Sequence, residues 1–248
     1  MKWTMGPPDT WNRLASWLES LDASLPAAPT QLLVVSAHWE APIPTVTSTA
    51  TPTLIYDYSG FPAHTYELTW PAPGSPDLAA RVQSLLAGAG IDARADAQRG
   101  LDHGVFIPLK VAYPAARLPT VQLSLRAGLN PREHLAIGRA LAPLRDEGVL
   151  IIGSGMSYHN MRGFMTAKAL TDSTRFDAWL SETVAKDPSA RDAGLADWAH
   201  APSARESHPR EEHLLPLLVV AGAANEDLGE QVFRDVVMGS VVSAIQFG

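Results

Sequence analysis

Two hydrophobic periods alternate along this chain, and their order predicts its elements. Trp11, Leu14, Trp17, Leu18 and Leu21 recur at helical spacing behind Asp9, a capping residue, so the first predicted element is an amphipathic helix meant to pack on a sheet. Leu32-Leu33-Val34-Val35-Ser36 is a continuous apolar run, the mark of a strand buried on both faces, and it delivers Ala37-His38-Trp39-Glu40 at its C-terminal end. A helix over Pro76 to Leu86 follows, with Ser75 before an N1 proline and Gly88 and Gly90 as its stop. Val105 to Ala112 is a short apolar segment behind the glycine-bracketed turn Gly100-Leu101-Asp102-His103-Gly104, and Thr120 to Leu125 alternates like a strand. Asn130-Pro131 opens a helix that Gly148 closes, and Val149 to Ile152 is a second buried strand, delivering Gly153 to Asn160. Beyond it lie a helix over Asp172 to Val184, an apolar run from Pro216 to Ala224 with His213 at the start of its helix, and a hairpin over Val232 to Phe247 interrupted by Gly239-Ser240. Strands and helices in this alternation predict one α/β domain over residues 1–248, in three α/β/α layers around a central mostly parallel or mixed sheet.

The segment from Pro42 to Pro76 breaks the pattern. It is rich in turn formers yet carries Tyr56, Tyr58, Phe61, Tyr66 and Trp70, which predicts a binding lid rather than a linker. At 248 residues with 46% hydrophobic content the chain can bury a full core. A net charge of −7 without a Lys/Arg block argues against a nucleic-acid partner. No run reaches the length of a membrane span, and the amino terminus lacks the form of a signal peptide, so the expectation is a cytoplasmic protein with no membrane partner. Cysteine is absent, which removes disulfides, thiolate ligands and a cysteine nucleophile together. Metal chemistry here must use His, Asp and Glu.

Eight histidines supply that chemistry. His134 falls among polar helical neighbours and is expected on the surface, and His200 carries no signal. His38 and His159 each follow a buried strand, His103 sits between Asp102 and Gly104, and His213 precedes an apolar helix. Each alone is read most simply as a core histidine satisfied by one hydrogen bond. Four converging on strand and helix ends instead favour a first-row metal site. The chain has no His-Glu-x-x-His pair, no lysine after Gly153-Ser154-Gly155 as a phosphate loop requires, and no glycine at 152 to make Ser154 a nucleophile elbow.

Five motifs in order carry a resemblance: Ser36-Ala37-His38-Trp39-Glu40, Tyr56-Asp57-Tyr58-Ser59-Gly60-Phe61-Pro62, Leu101-Asp102-His103-Gly104, Gly153-Ser154-Gly155 with Ser157 and His159-Asn160, and Glu212-His213-Leu214-Leu215-Pro216. Together the chain resembles the class III extradiol ring-cleavage dioxygenases, and among them the 4,5-DOPA dioxygenase type. The resemblance implies a non-haem Fe(II) enzyme, with zinc able to occupy the site, that opens a catechol-type substrate with O2. It implies His38 and His213 as metal ligands, His159 as the acid/base beside the metal and able to approach it, and His103 near substrate and oxygen. Tyr58 and Phe61 would contact the ring; His208 would orient substrate or else lie on the surface; and His64 has no assigned role.

The resemblance also implies a strand and a metal-binding histidine upstream of the segment matching Trp3 to Pro8, whereas no histidine precedes His38 here. A chain without that ligand is expected to hold metal weakly and turn over poorly. It could start inside a longer gene product, recruit His159 as third ligand, or be a non-catalytic subunit. A zinc-dependent hydrolase is a second reading, weakened because Glu40, Glu206, Glu211 and Glu212 sit in no hydrolase spacing. Arg126, Arg205 and Arg210 are candidates to meet a substrate carboxylate, and the edge of the C-terminal hairpin could pair across a homodimer.

Overall fold

A computed structural model describes residues 7–248. Its order is α1 (Asn12–Ser24), β1 (Gln31–Ala41), β2 (Thr45–Thr47), α2 (Pro76–Gly88), β3 (Arg94–Asp96), α3 (His103–Ala112), β4 (Thr120–Arg126), α4 (Pro131–Leu141), β5 (Val149–Ser154), α5 (Ala167–Val184), α6 (Pro188–Ala196), α7 (Ala204–Ser207), α8 (Leu215–Ala223), β6 (Gly229–Val237) and β7 (Ser240–Phe247). Trp3 to Gly6 lie outside the described residues. The architecture is mixed α/β with a central, mostly parallel sheet flanked by helices, as the alternation of periods predicts. Contacts divide the chain into two compact units, one of Ala15–Gly128 with Pro143–Ser154, the other of Leu129–Ala142 and Gly155–Gly248 together with residues 7–14. Among the described residues no helix is long and apolar enough to cross a membrane.

The first unit holds the five-stranded sheet, in the order β3-β2-β4-β1-β5. Only the β2–β4 pair is antiparallel. Leu32, Leu33, Val34 and Val35 of β1 are buried, and Leu32 and Val34 share a core with Phe106, Leu109 and Trp70, against which Leu18 and Leu21 of α1 pack. Strand β1 is longer than its apolar run predicts and carries His38, Trp39 and Glu40 within it rather than beyond its end. Between Val35 and Glu40 it takes five residue steps where β4 takes two, from Leu123 to Leu125. The local cause is Ser36, whose hydroxyl accepts the His38 amide at 3.2 Å and so competes with the ladder.

The segment Val105 to Ala112 is a helix, α3, and its first residue is His103. Pro108 inside it has no N–H for the carbonyl of Gly104, and the Ser154 hydroxyl at the end of β5 donates to that carbonyl instead, at 2.5 Å. Strands β2 and β3 are three residues each, too short to show a period in the Thr- and Pro-rich sequence around them.

In the second unit α4 and α8 cross closely at two glycines. A Cβ on Gly138 would lie 2.0 Å from the Val219 carbonyl oxygen, and one on Gly222 would lie 2.2 Å from that of Leu135. His134 on α4, expected at the surface, is 0% exposed, with Nδ1 2.8 Å from the Asn130 carbonyl. Its polar sequence neighbours concealed a position on the buried stripe with Leu135, Ile137 and Leu141. Helix α5 begins at Ala167, five residues ahead of expectation, and α8 begins at Leu215, after His213 rather than at it. The expected hairpin forms, but its first strand begins at Gly229 rather than Val232 and its turn is Met238-Gly239 rather than Gly239-Ser240, both residues at positive φ, 51° and 76°, the geometry of a tight two-residue turn. Helix α6 escaped prediction; its buried Arg191 donates to the carbonyls of Asp227 at 2.8 Å and Asn225 at 3.2 Å.

Candidate active site

In the first unit His38, Asp57 and His103 come together, with one donor atom of each within 4.8 Å of the others. The irregular stretch of β1 supplies His38 and the first turn of α3 supplies His103; their ring centroids are 3.9 Å apart. Asp57 comes from the aromatic loop, and its Oδ1 accepts both the backbone N–H of His103, at 2.9 Å, and Nδ1, at 2.8 Å. Partial burial pushes the Asp57 carboxyl up, but the hydrogen bonds and charge of His103 outweigh it and hold the group below its ordinary value.

A buried carboxylate underlies this cluster. Asp102 is 0% exposed and accepts from the Ser36 hydroxyl at 2.8 Å, from Gln122 Nε2, and from Arg99 at 3.3 Å. Arg99 lies over the Trp39 ring, 4.4 Å from its centroid. Gly104 leaves the space this requires, since a Cβ there would sit 2.6 Å from Ser36 Oγ and 3.0 Å from the His38 ring.

An aromatic cluster flanks His103 on one side. Tyr58 meets its ring edge to face at 5.6 Å, Phe61 packs on Tyr58 at 5.4 Å, and Tyr56 packs on Phe106 at 5.6 Å. The Tyr58 and Tyr56 hydroxyls donate to the Thr65 and Leu68 carbonyls at 2.5 and 2.6 Å, so the loop between them is folded on itself rather than open chain. His64, in that loop, is exposed.

The second unit gathers His159, Glu212 and His213, again with donor atoms within 4.8 Å of one another. The two imidazoles stack at 3.3 Å with planes 18° apart, and Nδ1 of His159 faces Glu212 Oε1 at 3.6 Å. Burial lowers the His159 pKa and outweighs the opposing pull of Glu212. Backbone contacts hold these residues: His159 N–H donates to the Ser207 carbonyl at the end of α7 at 3.0 Å and Met156 N–H to that of His213 at 3.2 Å. Gly155 permits the approach, because a Cβ would lie 2.2 Å from the His213 carbonyl oxygen.

His208 is fully buried, which removes the surface alternative; its Nε2 donates to the Ser157 carbonyl at 3.0 Å, and Phe176 and Trp198 flank its ring at 5.1 and 6.0 Å. Arg205 and Arg210 pair with Glu211 and Glu212 at 2.7 and 3.3 Å, so neither is committed to solvent alone. Sequence reasoning missed Asp57 and Glu212 as members of these clusters, and Asp102 as the support beneath the first, although all three stand inside the motifs quoted for the resemblance. In both clusters two imidazoles and a carboxylate offer a divalent first-row ion the donor types it prefers.

Residues 8–247 match the family model described as the catalytic LigB subunit of aromatic ring-opening dioxygenase. The chain belongs to that family. Among curated relatives of this LigB-family protein, the 4,5-DOPA dioxygenase extradiol of Beta vulgaris is 41% identical over 233 residues, 93% of this chain and 85% of the relative. The protein of the same description from Escherichia coli K12 is 38% identical over 214 residues, covering 84% and 77%. A crystal structure of an uncharacterized protein from Escherichia coli K12 superposes with a TM-score of 0.80 at 32% identity, covering 94% of this chain and 92% of that one. LigB-family dioxygenases are metal-dependent oxidoreductases, and these matches do not favour the hydrolase reading.

Proposed function

We propose that this LigB-family dioxygenase opens the ring of a catechol-type, DOPA-like substrate with O2, using Fe(II) at a site that zinc can also occupy. The observation that carries the reading is the family match from residue 8 to 247. Because it runs through both units, it supports one catalytic domain over residues 1–248. On the resemblance, His38 and His213 hold the metal and His159 can approach it; the imidazole and carboxylate surroundings of all three suit that task. When bound, the ion supplies positive charge and open positions at which a catecholate and dioxygen meet.

The chain's own residues bind, orient and move protons. His159 has Nδ1 directed at Glu212, so Nε2 is the atom that takes the proton of a substrate hydroxyl and returns it to the opened product. His103 stands near substrate and oxygen, and Tyr58 and Phe61 offer apolar ring faces and edges that stack on an aromatic substrate and keep water from it. The test is anaerobic loading with Fe(II) followed by O2 uptake in the presence of L-DOPA, caffeate or protocatechuate. One O2 consumed per yellow ring-opened product, even at low turnover, supports the reading, and no ring-opened product from any of the three with Fe(II) shown to be bound overturns it. His159→Ala should lower kcat by about 100-fold, within the range of a lost general acid/base.

A further inference from the structure

Asp57 has no assigned role, yet it makes two hydrogen bonds to a single residue. Its Oδ1 lies 2.9 Å from the backbone nitrogen of His103 and 2.8 Å from Nδ1 of the same residue, 46 positions away in sequence. An ionised carboxylate only accepts, so Nδ1 must carry a proton, and in the neutral ring Nε2 is then the atom with the free lone pair. The backbone N–H is also one of the unsatisfied donors of the first turn of α3. Asp102 stands at that helix's N-cap position but makes no capping bond; its carboxylate is taken by Ser36, Gln122 and Arg99. Asp57 therefore supplies from outside what the local cap does not, and fixes the residue's main chain and ring with one oxygen.

The ring has little freedom left. It packs against His38 at 3.9 Å on one side and meets Tyr58, the neighbour of Asp57, edge to face at 5.6 Å. Asp57 and His103 remain partly exposed, at 24% and 29%, so the held ring is still open to a small molecule. We propose that Asp57 is a positioning residue: it holds His103 in the Nδ1–H tautomer and aims an unprotonated Nε2 at the bound substrate or oxygen. This rests on the reading that places His103 beside substrate. A direct metal ligand is the competing role for Asp57; the oxygen nearest the imidazole is already occupied by two N–H donors, which favours positioning.

The test separates the two levels. In the metal-free full chain with 15N-labelled histidine, NMR at pH 8 reads the tautomer of His103, its signal assigned by loss in His103→Gln. The wild-type ring should be protonated on Nδ1; Asp57→Ala should shift it toward Nε2–H, and Asp57→Asn, whose Oδ1 still accepts, should restore the Nδ1–H form. With metal saturating, Asp57→Ala should lower kcat by about 10–100-fold, the usual effect of losing a histidine's orienting partner, with KM changed by less than about 3-fold and partial recovery in Asp57→Asn. An Nε2–H ring in the wild type, or an unchanged tautomer in Asp57→Ala, overturns the proposal. So does a loss confined to metal affinity with kcat intact at saturation, which makes Asp57 a ligand. The tautomer result stands even if ring-opening activity is absent, so failure of the functional reading and failure of this one are distinguishable.

Discussion

His208 makes the stability of this protein depend on pH in a way that one substitution should remove. Burial lowers its pKa from 6.5 to about 3; the Ser157 carbonyl opposes this, and the nearby His159 and Arg205 reinforce it. The unfolded chain takes up a proton on this ring below 6.5, whereas the folded chain resists until about 3. The contribution is thus complete above 6.5 and is lost as pH falls toward 3, at about 1.4 kcal/mol for each pH step. Between neutral pH and pH 5 the loss from this group is about 2 kcal/mol. His208→Gln cannot titrate, and its amide can still donate to the Ser157 carbonyl. Urea unfolding followed by circular dichroism at pH 7 and pH 5 should show a fall about 2 kcal/mol larger in the wild type than in the variant. His159, also depressed by burial, is present in both chains, so the difference reads His208 together with its coupling to His159. Equal pH dependence in wild type and His208→Gln would refute the reasoning.

Three further substitutions probe the framework around the site and the helix crossing. Gly104→Ala places a methyl 2.6 Å from Ser36 Oγ and 3.1 Å from Asp102 Oδ1, so it should destabilise by about 1–3 kcal/mol in a urea titration and lower kcat for ring opening at least 10-fold. Asp102→Asn keeps the shape but removes the charge that Arg99, Gln122 and Ser36 satisfy, and a loss of about 3 kcal/mol is expected in the same titration. Gly222→Ala drives a methyl into the Leu135 backbone, where no side chain can give way; a fall in Tm of about 5–10 °C by calorimetry is expected from a cost of about 2–3 kcal/mol.

The sequence announces elements in proportion to how far their burial follows a regular period. The runs at Leu32 to Val35 and Val149 to Ile152 mark β1 and β5, and the Ser75 and Asn130 caps with their N1 prolines mark α2 and α4, whose cap side chains accept from Leu78 and Arg132 as expected. Strands β2 and β3 span less than one pattern length and pass unseen. His134 shows the limit from the other side, because residue type suggested solvent while helical phase placed the ring with Leu135 and Ile137. For the candidate site, the histidines and aromatic residues were legible as types that bind metal and rings. The carboxylates were not, since acidic residues are ordinary on surfaces, and what distinguishes Asp57 and Asp102 is a partner 46 positions away in one case and 66 in the other.

Those long-range carboxylate bonds also explain how β1 can deviate at His38 without fraying. A strand that takes extra residues leaves main-chain groups without ladder partners, and inside a core each such group costs about 1–3 kcal/mol unless another donor or acceptor meets it. Ser36 accepts the His38 amide and donates its hydroxyl to the Asp102 carboxylate, and the Asp102 amide donates to Gln122 Oε1 on β4 at 3.2 Å. Ser154 on β5 meets the Gly104 carbonyl that Pro108 leaves open. Polar residues on three neighbouring strands thus satisfy the backbone around both His38 and His103, so the departure from sheet geometry that presents His38 is stabilised by the same groups that begin the helix of His103. An apolar residue at Asp102 would fill the space yet leave Ser36, Gln122 and Arg99 with buried donors to satisfy. The network therefore explains why a fully buried carboxylate is compatible with this core, and why its removal should disturb both imidazoles together.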